Sequence, residues 1–130
     1  MKHARRRVLL VDMDETVATI TKFRLELLGY RVQHVATGEE AFAAIASERP
    51  DAIVLEMFIP GLDGFEVTSR LHNDEHTSDI PIIAFSSDAD LAHVQRAFQA
   101  GAKEFVVKPF DPIVLERKLE QLLAQAPALN

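Results

Sequence analysis

The sequence predicts an α/β fold, a buried parallel sheet with helices on both faces. Three observations predict it. Short β-rich apolar runs alternate with stretches of helical periodicity, strand then helix, along the whole chain. The runs are continuously apolar, as in Ala52-Ile53-Val54-Leu55, which is the pattern of strands covered on both faces. Most runs are followed at once by a charged residue or a serine, and open α/β sheets place their ligands at the carboxyl ends of strands.

Val8-Leu9-Leu10-Val11 is the first strand. Thr16 to Leu28 follows as a helix, with Val17, Ile20, Leu25 and Leu28 as its apolar face and Gly29 as its stop. Arg31 to Val35 is a second, shorter strand. Thr37-Gly38-Glu39-Glu40 has the form of a capping box and opens a helix to Ser47. Pro50 and Asp51 close that connection, and Ala52 to Leu55 is the third strand. Asp63-Gly64-Phe65-Glu66 fits the same box and opens a helix to about Asn73. A polar loop leads to the fourth strand, Pro81 to Phe85, and Ser87-Asp88-Ala89-Asp90 opens a helix that ends at Gly101. Glu104 to Val107 is the fifth strand. Pro112 sits in the first turn of a last helix, where its missing N–H does no harm, and Val114, Leu115, Leu119, Leu122 and Leu123 form the apolar face. No linker or repeat interrupts this pattern. The expectation is one domain over residues 1–130, with a basic tail at 1–6 and a fraying tail at 126–130.

Composition narrows the function. With 48% hydrophobic residues in 130, the chain can bury a core of ordinary single-domain size. Acids outnumber bases 20 to 14, a net charge of −6, which argues against a nucleic-acid footprint. The one basic cluster, Lys2 with Arg5, Arg6 and Arg7, reads as a solvated tail. The absence of cysteine excludes disulfides, thiolate chemistry and cysteine-based zinc sites. No apolar run approaches the roughly 20 residues of a membrane span, and Val8 to Val11 is too short for a signal-peptide core. A cytoplasmic protein is the default.

The chemistry lies in the strand ends. Asp12, then Met13 and Asp14, follow strand one; Glu56 ends strand three; Ser86 and Ser87 follow strand four; Lys108 follows strand five. A parallel sheet puts all of these on one edge. Carboxylates, a hydroxyl and a lysine brought together suit phosphoryl-transfer chemistry. Each member has a plainer reading. Asp12-Met13-Asp14-Glu15 is also a capping box with Asp12 as the cap; Ser86 alone would start a helix; Lys108 and Glu56 alone would be solvent-facing charges. The joint pattern is more specific than any member.

From about Arg7 to Leu123 the chain resembles the receiver domains of two-component response regulators. The resemblance rests on Asp12, on Glu56 with the following Pro60, Asp63 and Gly64, on Ser86, on Gly101-Ala102, on Phe105 and on Lys108-Pro109-Phe110. It implies the flavodoxin-like strand order 2-1-3-4-5, which right-handed crossovers alone leave open. It implies that Glu56 stands where the family has a phosphoryl-accepting aspartate, that Ser86 and Phe105 are switch residues, and that Lys108 contacts the phosphoryl group. It also implies two departures. Glu56 replaces the acceptor, and Met13 replaces an acid that binds Mg²⁺ beside Asp12. A thioether is a poor ligand for a hard cation, so no cofactor is expected and any Mg²⁺ binding should be weak. The extra methylene of Glu56 carries its carboxylate about 1.5 Å outward, toward Ser86 and Lys108, and an ion pair with Lys108 is expected.

These residues lead to a signalling domain without phosphotransfer or enzymatic activity, with Glu56 as a partial phospho-aspartate mimic or lock. The expected partner is a protein, or a second copy, on the face of helix four, strand five and helix five, where Arg96, Lys103, Glu104, Arg117 and Lys118 mix both signs of charge. Neither a membrane nor direct nucleic-acid contact is expected, and Phe105 is expected to point inward. A second reading comes from Asp12-Met13-Asp14-Glu15-Thr16, which fits the D-x-D-x-T signature of haloacid-dehalogenase-type phosphatases with Asp12 as nucleophile and Asp14 as acid/base. It lacks a downstream acidic pair and a cap domain.

Overall fold

The structure is a computed structural model that describes residues 6–88, 90–108 and 111–125. Five strands alternate with five helices: β1 (Arg7–Val11), α1 (Glu15–Leu27), β2 (Arg31–Val35), α2 (Gly38–Ser47), β3 (Ala52–Glu56), α3 (Gly64–Asn73), β4 (Ile82–Ser86), α4 (Leu91–Ala100), β5 (Glu104–Val107) and α5 (Pro112–Gln125). All strand pairs are parallel and the order is β2-β1-β3-β4-β5. This is the doubly wound, flavodoxin-like order.

Every residue of β3 and β4 is buried, and the sheet separates two apolar clusters. One face carries Leu9, Val11, Ile53, Leu55, Ile82 and Ala84 against α2, α3 and α4. The other carries Val8, Leu10, Val54, Ile83, Phe85 and Val106 against α1 and α5. Alternate residues of one strand feed opposite clusters, which is why these strands read as unbroken apolar runs.

The helix starts follow the capping chemistry, with two changes. Thr37 and Glu40 complete a reciprocal capping box on α2. Asp63 caps α3 through the Glu66 N–H, but the Glu66 side chain turns to Arg70, so that box is half made. Asp14, not Asp12, caps α1, accepting from the Thr16 and Val17 amides at 3.1 and 3.2 Å. Asp12 is therefore free for other work. Ser86 is the last residue of β4 and not a helix start; Asp90 caps α4.

Two helix faces differ from the expected ones. The buried residues of α1 are Ala18, Thr21 and Leu25, while Ile20 is 56% exposed. Small Ala18 and Thr21 let the helix lie close to the sheet, and the i, i+3, i+7 line that they set leaves Ile20 outside. In α5 the buried line is Leu115, Leu119 and Leu123, with Val114 exposed and Leu122 only partly covered. The basic cluster is not all tail. Arg6 accepts the Arg31 N–H on its carbonyl and its guanidinium reaches the Leu123 carbonyl, and Arg7 opens β1 with its N–H on Asp51. Lys2 and Arg5, like the predicted frayed end at 126–130, lie outside the described residues.

Gly64 sets the distance between the end of β3 and the start of α3. Its N–H donates to the Met57 carbonyl at 2.8 Å. A Cβ there would stand 2.5 Å from Met57 Cα and closer still to the Glu56 carbonyl oxygen, both of them backbone. Gly64→Ala should therefore lower unfolding free energy by about 2 kcal/mol or more, measured by urea denaturation. Tyr30 lies buried between α1 and β2 in the second cluster. Burial, then the charges of Glu120 and Glu116 against that of Arg6, pushes its phenol up to about 12 from 10.0. Between these values the unfolded chain gives up a proton that the folded one keeps, so stability falls as pH rises through this window. The Tyr30 share is on the order of 2 kcal/mol, and Tyr30→Phe should lose stability less steeply from about pH 10 upward.

Candidate functional site

The carboxyl edge of the sheet brings Asp12, Glu56, Ser86 and Lys108 together, each placed by its strand: Asp12 just past β1, Glu56 and Ser86 as the last residues of β3 and β4, Lys108 just past β5. Register fixes the spacing. Val11 pairs with Leu55, Glu56 with Phe85, and Ser86 with Val107. Asp12 is 1% exposed, Glu56 7% and Ser86 1%, so this edge is a closed floor.

Lys108 is the centre. Its Nζ donates to Asp12 Oδ2 and to Glu56 Oε1, both at 2.9 Å. It also sits 4.5 Å from the centroid of the Phe85 ring, a cation–π arrangement. Burial alone would push the ammonium's pKa down. The hydrogen bonds to Asp12 and Glu56, with the attraction of both charges, outweigh it and hold the pKa above its ordinary value. The Glu56–Lys108 pair expected from the sequence is formed, and Asp12 joins it.

The second oxygens of both carboxylates are held by backbone. Glu56 Oε2 accepts the Phe58 N–H at 3.1 Å, and Asp12 Oδ1 accepts the Asp14 N–H at 3.1 Å. The Asp12 carbonyl accepts from His34 Nε2 at 2.7 Å, and since a carbonyl only accepts, that nitrogen carries the proton. Neither backbone donor was visible in the sequence, because an amide two residues after an acid has no residue-type signal. His34 was equally hidden, since only register places β2 beside the Asp12 carbonyl.

Ser86 does not meet Glu56. Its hydroxyl oxygen accepts the Asp88 N–H at 3.1 Å, and no hydrogen bond joins Ser86 to Glu56 among the described residues. Phe105 is half-buried, packed against the cluster beneath α4. Met13 is 55% exposed on the rim. Pro109 and Phe110 lie outside the described residues. A groove of about 550 Å³ runs from this floor between α1 and α5, with Val17, Ile20, Leu115 and Pro112 on its walls and the Arg24–Glu116 pair across it.

As a seat for a divalent cation this set fits poorly. Mg²⁺ wants several hard oxygens in octahedral array, yet an ammonium already bridges the two carboxylates. Asp14 is spent on the helix cap and Met13 offers sulfur. Among the described residues no group of three or more His, Cys, Asp or Glu is arranged to hold a metal.

The response regulator receiver domain model matches residues 8–120. Among curated relatives, the chain is 33% identical over 123 residues to the DNA-binding dual master transcriptional regulator RpaA of Synechocystis, covering 95% of this chain and 48% of that protein. It is 37% identical over 123 residues to the probable transcriptional regulator ycf27 of Cyanophora paradoxa, covering 95% and 50%. It thus spans about half the length of these relatives. Among solved structures, a response regulator from Chloroflexus aurantiacus superposes with TM-score 0.88 at 33% identity, covering 92% of this chain and 98% of that one. The receiver domain of the sensor histidine kinase PA1611 from Pseudomonas aeruginosa, with magnesium in its cleft, gives 0.85 at 32%, covering 92% and 98%. With this match and this fold, the chain belongs to the response regulator receiver domain family.

Proposed function

We propose that this receiver signals without being phosphorylated, with Glu56 as a fixed input held by Lys108. The observation that carries the proposal is the placement of the Lys108 ammonium, 2.9 Å from both Glu56 and Asp12. The receiver resemblance makes Lys108 the lysine that contacts the phosphoryl group. Here the longer glutamate reaches the lysine by itself. A carboxylate brings less charge and fewer acceptor oxygens than an acyl phosphate, so the imitation is partial. What supports a partial imitation is that Lys108 lies on Glu56 while Ser86 stays with Asp88.

The output is a protein contact. The face of α4, β5 and α5 exposes Leu91, Phe98, Val107, Ile113 and Val114, apolar surface that suits a partner or a second copy. Its charge is less mixed than the sequence implies, since Glu104 pairs with Lys118 at 2.7 Å and Arg96 turns away onto the Phe65 ring. The RpaA relative binds DNA, but the acidity of this chain favours a protein partner over direct DNA contact. Among the described residues, no helix is long and apolar enough to cross a membrane. The phosphatase reading loses support, because its acid/base, Asp14, has its carboxylate committed to the cap of α1.

Two measurements test the proposal. Treatment with acetyl phosphate and Mg²⁺ should give no stable mass gain, while the double variant Met13→Asp, Glu56→Asp should become labelled. Labelling of the unmodified chain at Glu56 would overturn the proposal. Lys108→Met should cost about 3–5 kcal/mol of stability in urea, because it strands two buried carboxylates, and adding Glu56→Gln should recover part of that loss.

A further inference from the structure

Beyond the charged floor, a contact path connects Glu56 to α4 without using Phe105. The Phe58 N–H is fixed on Glu56 Oε2 at 3.1 Å. The Phe58 ring meets the His93 ring edge-on, with centroids 5.0 Å apart and planes at 75°. It meets Phe65 in the same manner at 5.5 Å and 78°. Phe65 in turn carries Arg96 over its face at 4.1 Å and lies 6.2 Å from His93. His93 and Arg96 are one turn apart on α4, so two residues of that helix rest on the aromatic pair.

His93 is reached from the other side too. Its Nδ1 stands 3.1 Å from Asp88 Oδ1. The Asp88 N–H donates to Ser86 Oγ at 3.1 Å. The first turn of α4 therefore touches the end of β3 through Phe58 and the end of β4 through Asp88. Edge-on ring contacts are directional, so a shift of the Phe58 backbone changes the seat of the imidazole.

We propose that His93 is a positioning residue through which α4 is set by the charged floor, with Phe58 coupling it to Glu56 and Asp88 coupling it to Ser86. The inference rests on Glu56 being the input to this domain. It differs from the serine–aromatic switch in using the loop after β3 and the first turn of α4. Phe58 is 44% exposed, so the ring can be removed without opening the core.

The test is amide hydrogen exchange of α4 in the full chain, referenced to β1 amides to remove global effects, for Glu56→Gln alone and with Phe58→Leu, His93→Gln or Phe105→Leu. Glu56→Gln alone should speed exchange in the first turns of α4 about threefold to tenfold. With Phe58→Leu or His93→Gln present it should add nothing, whereas with Phe105→Leu the effect should remain. In parallel, the His93 ring NMR signal should move with Glu56→Gln and cease to do so once Phe58 is replaced by leucine. An effect that persists with Phe58→Leu and His93→Gln, or that vanishes only with Phe105→Leu, overturns the relay while leaving Glu56 as input. No effect of Glu56→Gln on α4 in the unmodified background overturns both.

Discussion

One lysine shared by two buried carboxylates governs this molecule. Lys108 follows β5, Asp12 follows β1 and Glu56 ends β3, so a single ammonium ties together three strands of the sheet. The trio carries one uncompensated negative charge, and its surroundings answer that charge with two backbone amides, from Asp14 and Phe58. Buried ion pairs give little net stability, because desolvation offsets most of the attraction. What they fix is position. With every oxygen of both carboxylates engaged, neither side chain can leave its place without stranding a partner.

The floor depends in turn on close backbone packing behind it. Gly64 lets α3 begin directly against the end of β3, and its N–H holds the following loop through the Met57 carbonyl. On the other side, Asp14 takes the helix cap that Asp12 would otherwise fill. The division of labour between these two acids, one turned to the helix and one to the lysine, keeps Asp12 available at the floor.

Much of this was legible in the residues. The buried strands were readable because both of their faces are covered, and once the strands are parallel their ends must share one edge. Glu56 and Lys108 could be expected to meet because the receiver resemblance puts Lys108 at the phosphoryl position and the longer side chain carries Glu56 toward it. The face of α5 was readable in Leu115, Leu119 and Leu123, whereas that of α1 was not, since Ala18 and Thr21 carry little hydrophobic signal and take their places through small size. Asp12 read as the cap of α1 from a short-range pattern, but Asp14 fills that place and Asp12 is engaged by Lys108 from the far end of the chain, a contact no local pattern signals. Ser86 keeps to its own loop, where its hydroxyl oxygen accepts the Asp88 N–H, a contact with no residue-type signal. Arg6 was hidden as a structural residue because a basic run at a chain end has no periodicity to betray the carbonyl that it serves.

The sequence separations within the trio carry a consequence for folding order. Asp12 and Glu56 lie on neighbouring strands and come together when β1 pairs with β3, whereas Lys108 is 96 residues from the first and 52 from the second. Closing such long loops is slow, and until β5 docks, two acids share a sheet edge with no cation between them. Without β5 the edge formed by β1 and β3 is electrostatically unfinished, and the residue after β5 brings its counter-ion. The PA1611 receiver holds magnesium in its cleft, whereas here an ammonium of the chain itself stands between the two carboxylates.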